Sequence, residues 1–247
     1  MHIVDQVLSL DRHPHRSWTN RPLSVIDKII LHQSMTASDT KALNQYHISS
    51  NHICLQGCPR ICYHFAIESD GKIVQCNDVS DIVWHTKGEN TTSIGIVVLG
   101  NFNGLNYRGG QQPSSQQLMA LGELIQYLCK EYRISLQKVF GHHDFREGPC
   151  PGYYLQEWIT FLKSGQITDL VNNEDPKLMI TLQKALSSLG YYHGRIDGLW
   201  SPECRKAVLQ FQVDNQLLPD GLMGEVSWKK MKNCLAVASF KPQAKGA

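Results

Sequence analysis

The chain of 247 residues carries a net charge of +2, with 42% hydrophobic and 19% charged residues. That length suits one large domain, or a medium and a small one, each burying its own core. The near-balanced charge excludes the strongly basic footprint of a nucleic-acid binder, and no apolar run reaches the roughly 18 residues of a membrane span. The opening MHIVDQVLSLDRHPHR lacks the continuous apolar stretch of a secretory signal, so a soluble chain made in the cytoplasm is expected.

In chain order, SVIDKIILHQ holds a β-branched apolar run ending at His32, the pattern of a strand. NHICLQGCPRICYHF then sets Cys54, Cys58 and Cys62 at four-residue steps. This spacing is neither that of a zinc knuckle nor that of a ferredoxin. A Cys54–Cys58 disulfide would need an oxidising compartment, so reduced thiols packed in and beside a loop are the expectation. YHFAIESDGKIVQ reads as a hairpin, with Tyr63, Phe65 and Ile67 alternating and Asp70-Gly71 as the turn. SIGIVVLGNF is a continuous apolar run, typical of a strand buried on both faces. After Pro113, Leu118, Leu121, Ile125, Leu128 and Tyr132 recur at helical spacing, with Ser114 or Ser115 as the cap. KVFGHHD looks like a strand end, and YYLQEWITFLK supplies a last helix. Alternation of this kind over residues 1–162 predicts an α/β layer fold, a sheet flanked by helices.

Residues 163–175 lose the periodicity and read as a linker. Beyond them lies a weak internal repeat. IDGLWSPECRKAV and PDGLMGEVSWKKM each place Asp-Gly-Leu before a helix start, with Ser201 and Gly224 at the cap positions. With a preceding helix from about Pro176 to Leu189, they predict a small three-helix unit over 176–235. Residues 236–247 read as a frayed tail.

Chemistry concentrates in GHHDFREGPCPG, where Cys150 stands between two prolines. Prolines fix φ and give the thiol a defined direction, as presentation to a metal requires. Catalytic zinc takes three protein ligands and leaves a fourth position open. Cys150 and either His142 or His143 supply two, and His32, at the end of its strand, is placed to be the third. On an extended backbone the adjacent histidines face opposite ways, so only one of them points at a metal.

IILHQSMT, YHFAIESDGKI, VWHTKGENTTSIGI and GHHDFREGPCPG occur in the order and approximate spacing found in zinc amidases. The chain resembles the group that includes phage amidase lysozymes and peptidoglycan recognition proteins. The resemblance implies a mixed central sheet flanked by helices, with zinc held by His32, His142 and Cys150. It implies cleavage of the amide between N-acetylmuramic acid and L-alanine in bacterial peptidoglycan. Tyr63 matches a residue that stabilises the oxyanion or orients the water, and His85 one that lines the cleft and assists proton transfer. Asn90 and Arg146, within the matching motifs, are expected substrate contacts. His64, on the other face of its strand from Tyr63, is assigned to structure.

Two departures stand out. Many catalytic members carry lysine or threonine two residues before the last ligand, where this chain has Gly148, and the acid of another branch is replaced by Val97. The segment from Leu182 to Trp228 resembles the small helical peptidoglycan-binding domain of cell-wall hydrolases. Tyr191, Tyr192 and Trp200 are its candidate wall contacts, while Leu182, Leu186, Leu189, Val208 and Phe211 mostly form its core. The implied protein is a phage or prophage endolysin acting on the wall after release, and a monomer is the simplest expectation. A bacterial autolysin or recycling amidase, or a non-catalytic recognition protein, is the alternative. Neither an HExxH helix nor an identifiable acidic pair supports a peptidase or a glycosidase.

Overall fold

The computed structural model describes residues 1–36, 38–51, 54–104, 108–163, 176–215, 217, 221, 223 and 225–239. The chain divides into two compact units, residues 1–160 and 161–247. No helix among the described residues is long and apolar enough to cross a membrane.

The first unit is built on a six-stranded sheet. Its strands are β1 (Ile3–Asp5), β2 (Lys28–Gln33), β3 (Phe65–Ile67), β4 (Ile73–Gln75), β5 (Ser93–Val98) and β6 (Val139–Gly141), in the order β1-β4-β3-β5-β2-β6. Only the β3–β4 pair is antiparallel, so the sheet is mixed. That pair is the predicted hairpin, with Gly71 at a φ of 85° in its turn. Helices α1 (Thr40–Ile48) and α2 (Ser115–Glu131) complete the unit, and α3 (Tyr153–Lys163) begins in it and runs past its end at residue 160.

β2 and β5 lie side by side in the interior of the sheet, and their apolar runs are buried: Ile29, Ile30, Leu31, Ile94, Ile96 and Val97 are fully enclosed. Each such side chain contributes about 1.5–3 kcal/mol, enough to carry the polar His32 into the interior once its ring nitrogens find partners. α2 opens on a reciprocal capping box. Ser114 Oγ accepts from the Gln117 amide at 3.1 Å, and Gln117 Oε1 accepts from the Ser114 amide at 3.0 Å. Gln117 also donates to the Leu99 carbonyl at 2.8 Å, tying the helix start to the end of β5. β1 and α1 have no counterpart in the sequence reading. β1 is three residues long and largely unburied, so it lacks the apolar run that signals a strand.

The second unit contains α4 (Pro176–Ser188), α5 (Pro202–Asp214) and α6 (Glu225–Ser239), the predicted three helices. α6 runs four residues past the expected domain end at 235, so the start of the expected tail is helical. Residues 164–175 of the expected linker, Gly224 and the tail from 240 lie outside the described residues. Leu182, Leu186, Val208 and Phe211 form the core together with Met179, Cys204, Met223 and Met231, with Leu189 packed partly buried against it. Two buried glutamines give the internal repeat its physical basis. Gln183 accepts from the amides of Asp197 and Gly198 at 3.1 and 2.9 Å and donates to the Leu199 carbonyl at 3.0 Å. Gln212 accepts from the Gly221 amide at 2.8 Å and donates to Ser227 Oγ. In each copy the amide of the Asp-Gly-Leu glycine is thus held by a glutamine on the preceding helix.

His64 is fully buried, in agreement with its structural assignment. Its Nδ1 accepts from the Gly95 amide at 2.9 Å, and its Nε2 donates to the Asp81 carbonyl at 3.0 Å. Burial, and then the charge of Arg21, lower its pKa from 6.5 to about 3. The unfolded chain therefore binds a proton here between about pH 6.5 and 3 that the folded chain does not. Stability of the metal-free protein should fall with pH across that window by about 1.4 kcal/mol per unit for this ring alone. His32, His85 and His142 are lowered too and act in the same direction. Urea unfolding between pH 7.5 and 4.5 should show this fall, with a slope smaller by about one proton in His64→Gln; an unchanged slope would contradict the assignment.

Candidate metal centre

His32 lies one residue from the C-terminal end of β2, and His142 follows β6 directly. β2 and β6 run parallel with Leu31 opposite Gly141, so the register carries the next residue of each strand, His32 and His142, to neighbouring positions. Their ring centroids are 4.6 Å apart. Residues 142–144 form a 3-10 turn rather than the extended backbone expected. The turn sends the two histidines to different places. His142 faces His32, while His143 is exposed and its Nδ1 donates to the Gly148 carbonyl at 2.8 Å.

Cys150 completes the group. Its Sγ lies 3.6 Å from His32 Nδ1, and the ligand atoms of His32, His142 and Cys150 all lie within 4.8 Å of one another. Such a group of two imidazoles and a thiol can hold a metal ion. Burial keeps both histidines below their ordinary pKa, with the neighbouring His85 adding to the effect on His32 and Arg146 to that on His142. The rings are therefore neutral with lone pairs available, the form that binds metal. Burial also pushes the Cys150 thiol up to about 12, so a cation is needed to draw off its proton.

The sequence singled out prolines as the frame of Cys150, but a polar side chain does as much. Gln33, next to His32 on β2, is buried and donates from Nε2 to the Pro149 carbonyl at 3.2 Å and to Asn103 Oδ1 at 2.8 Å. Its Oε1 accepts from the Phe102 amide, and its own amide faces Cys150 Sγ at 3.5 Å. No sequence pattern pointed to Gln33, because its role depends on three segments meeting.

Tyr63 sits just before β3, its ring 4.9 Å from that of His32. Burial, and then the Cys150 thiol, raise its pKa well above 10, so the phenol keeps its proton. His85 packs against His32, its ring centroid 5.2 Å away and nearly perpendicular. It is 7% exposed, with Nδ1 at 3.1 Å from His32 Nε2 and Nε2 at 3.1 Å from Ser93 Oγ. Thr86 Oγ1 fills the space beside them. Thr86 and Ser93 were missed for the same reason as Gln33. Asn90 spends its Oδ1 on the Thr86 amide at 2.7 Å, closing the loop behind His85. Arg146 is exposed near His142, and Gly148 is exposed with open space around the position of a side chain. Val97 is the register partner of His32 and belongs to an apolar cluster, so no acid stands there.

The remaining candidates lie in the second unit. Tyr192 is a correction: it is 3% exposed, packs in the core and donates its hydroxyl to the Arg195 carbonyl. An aromatic ring that size fills the centre of a small three-helix unit, which leaves it unable to touch a polymer. Tyr191 and Trp200 are partly buried against the same core. All eight cysteines are free thiols, as expected for Cys54, Cys58 and Cys62.

Residues 21–153 match the family described as N-acetylmuramoyl-L-alanine amidase, and residues 176–231 match the putative peptidoglycan binding domain. An endolysin of Enterobacteria phage K11 is 31% identical over 114 residues, covering 45% of this chain and 70% of that protein. The N-acetylmuramoyl-L-alanine amidase CwlH of Bacillus subtilis is 29% identical over 185 residues, covering 63% of this chain and 70% of its own. The solved structure of the amidase LysC from Clostridium intestinale shares the fold, with a TM-score of 0.51 at 24% identity over 66% of this chain and 96% of its own.

Replacing Gln33 by alanine strips partners from the Phe102 amide and the Pro149 carbonyl, each costing about 1–3 kcal/mol where it stays buried. In the metal-free Gln33→Ala protein, Cys150 should react faster with an alkylating reagent, measured by peptide mass spectrometry. Alkylation at the native rate would show that the prolines alone hold the thiol.

Proposed function

The chain belongs to the N-acetylmuramoyl-L-alanine amidase family and is a peptidoglycan amidase of the phage type; from that premise we propose that it is a zinc hydrolase whose metal is held by His32, His142 and Cys150. The observation that carries this reading is the 3.6 Å separation of Cys150 Sγ and His32 Nδ1. Tetrahedral zinc, with Zn–S of about 2.3 Å and Zn–N of about 2.0 Å, requires sulfur and nitrogen roughly 3.5 Å apart. The donor set has the neutral imidazoles and the polarisable sulfur that zinc favours, with no carboxylate among the three.

A zinc ion held by His32, His142 and Cys150 would supply Lewis acidity toward the amide carbonyl between N-acetylmuramic acid and L-alanine and would lower the pKa of a water. The protein supplies the rest. Tyr63, protonated and against His32, donates to the amide oxygen as negative charge builds on it. Arg146 at the rim offers a cation to carboxylates of the stem peptide. Gly148 brings no donor where other members have one, so stabilisation of the oxyanion rests more heavily on Tyr63. That glycine is also the feature that favours a non-catalytic recognition protein, against which the complete donor group stands.

The second unit acts as a wall anchor over 176–235, linked through 163–175 to the amidase unit at 1–162, and it raises the effective concentration of an insoluble substrate. Trp200 and Tyr191, partly buried, are its remaining candidate contacts. The biological role that fits both units is lysis of the bacterial wall by an endolysin acting after release.

The purified protein should carry about one zinc per chain, and Cys150→Ala and His142→Ala should each lose it while keeping the native circular dichroism spectrum. Tyr63→Phe should keep the metal and lose about a hundredfold in kcat on peptidoglycan. Full metal and full activity in Cys150→Ala would overturn the site.

A further inference from the structure

Ser93, the first residue of β5, is fully buried, and its Oγ lies 2.7 Å from the Glu89 carbonyl oxygen. A carbonyl oxygen has no proton to give, so the hydroxyl proton is committed to Glu89. Ser93 therefore meets His85 Nε2, 3.1 Å away, with a lone pair. The imidazole must carry its proton on Nε2, which leaves Nδ1 bare. That Nδ1 lies 3.1 Å from His32 Nε2. Between two neutral rings the contact is attractive only if His32 carries its own proton on Nε2. The nitrogen left bare on His32 is Nδ1, the atom facing Cys150 Sγ.

We propose that the Glu89 carbonyl, acting through Ser93 and His85, sets the tautomer of His32 and so turns a bare Nδ1 toward the metal position. Ser93 and His85 are then positioning residues, and His85 is not a group that touches substrate. The inference rests on the reading of His32 as a metal ligand.

Three further features fit the relay. Thr86 Oγ1 lies 3.4 Å from His32 Nε2 and 3.1 Å from His85 Nδ1, where it can accept from the first and donate to the second, the same proton assignment. The turn that carries the Glu89 carbonyl is tied to β2, because Lys28 bonds Glu89 at 2.9 Å and Thr92 Oγ1 at 2.6 Å. Gly95 makes room for the His85 ring: a Cβ there would stand 2.7–2.9 Å from three of its atoms.

The test uses the full-length protein, stripped of metal, with long-range proton–nitrogen NMR of the histidine rings. His32 and His85 should both be Nε2–H tautomers in the native chain. In Ser93→Ala the His85 proton loses its acceptor, so the His32 ring should shift toward a mixture; Ser93→Thr, which keeps the hydroxyl, should restore the native pattern. Zinc affinity, measured by competition with a chromophoric chelator, should fall about 10- to 100-fold in Ser93→Ala and stay within a few-fold of native in Ser93→Thr. Gly95→Ala, which removes no hydrogen-bonding group but displaces His85, should lower affinity similarly. A native His32 that is Nδ1–H when metal-free, or a Ser93→Ala protein with native tautomers and native affinity, would overturn the relay. Failure of the native chain to bind zinc would overturn the metal reading instead, with the tautomer result judging the relay separately.

Discussion

The site depends on one buried ring held from both sides. His32 is 1% exposed, on an interior strand of the sheet, and both of its nitrogens face polar atoms. Burying an imidazole without partners would oppose folding. The apolar residues before it in β2 outweigh that cost only because His85 and Thr86 meet one nitrogen and the Cys150 thiol faces the other. Every other part of the centre is placed relative to this ring. β6 delivers His142 through its register with β2, and the segment before β3 sets Tyr63 against it.

The same economy of anchoring appears at Cys150 and in the second unit. Gln33 follows His32 in β2 and grips the Pro149 carbonyl, so one strand end holds a metal-ligand candidate and steadies another. In the second unit Gln183 and Gln212 each satisfy loop amides that the fold would otherwise bury unpaired. The two units, matching an amidase family and a peptidoglycan-binding family, address one polymer.

Much of this was legible in the sequence where local chemistry decides structure. The Asp70-Gly71 turn and the apolar runs of β2 and β5 follow from short-range preference and formed as read, and of the two serines read as the cap the structure uses Ser114. The candidate group of His32, His142 and Cys150 was legible because a thiol between prolines and a histidine closing an apolar strand are unusual placements, and four motifs in order carried the resemblance. What was hidden depends on contacts between distant segments. β1 is too short to show a pattern, and Gln33 and Ser93 are ordinary polar residues until the sheet brings their partners to them. A motif gives order but not depth, so the burial of His85 against His32 was hidden as well. Tyr192 looked like a wall contact because an aromatic beside a glycine-rich loop reads alike whether it points outward or inward.

If His32, His142 and Cys150 hold zinc, the cut falls at one amide and depends on the metal. The most direct measurement incubates purified peptidoglycan with the protein as isolated, after chelation, and after chelation followed by added zinc, and counts new alanine amino groups and new sugar reducing ends. Amino groups should vanish on chelation and return with zinc, without reducing ends. Amino groups that persist in the fully chelated protein, or reducing ends in their place, would contradict this reading.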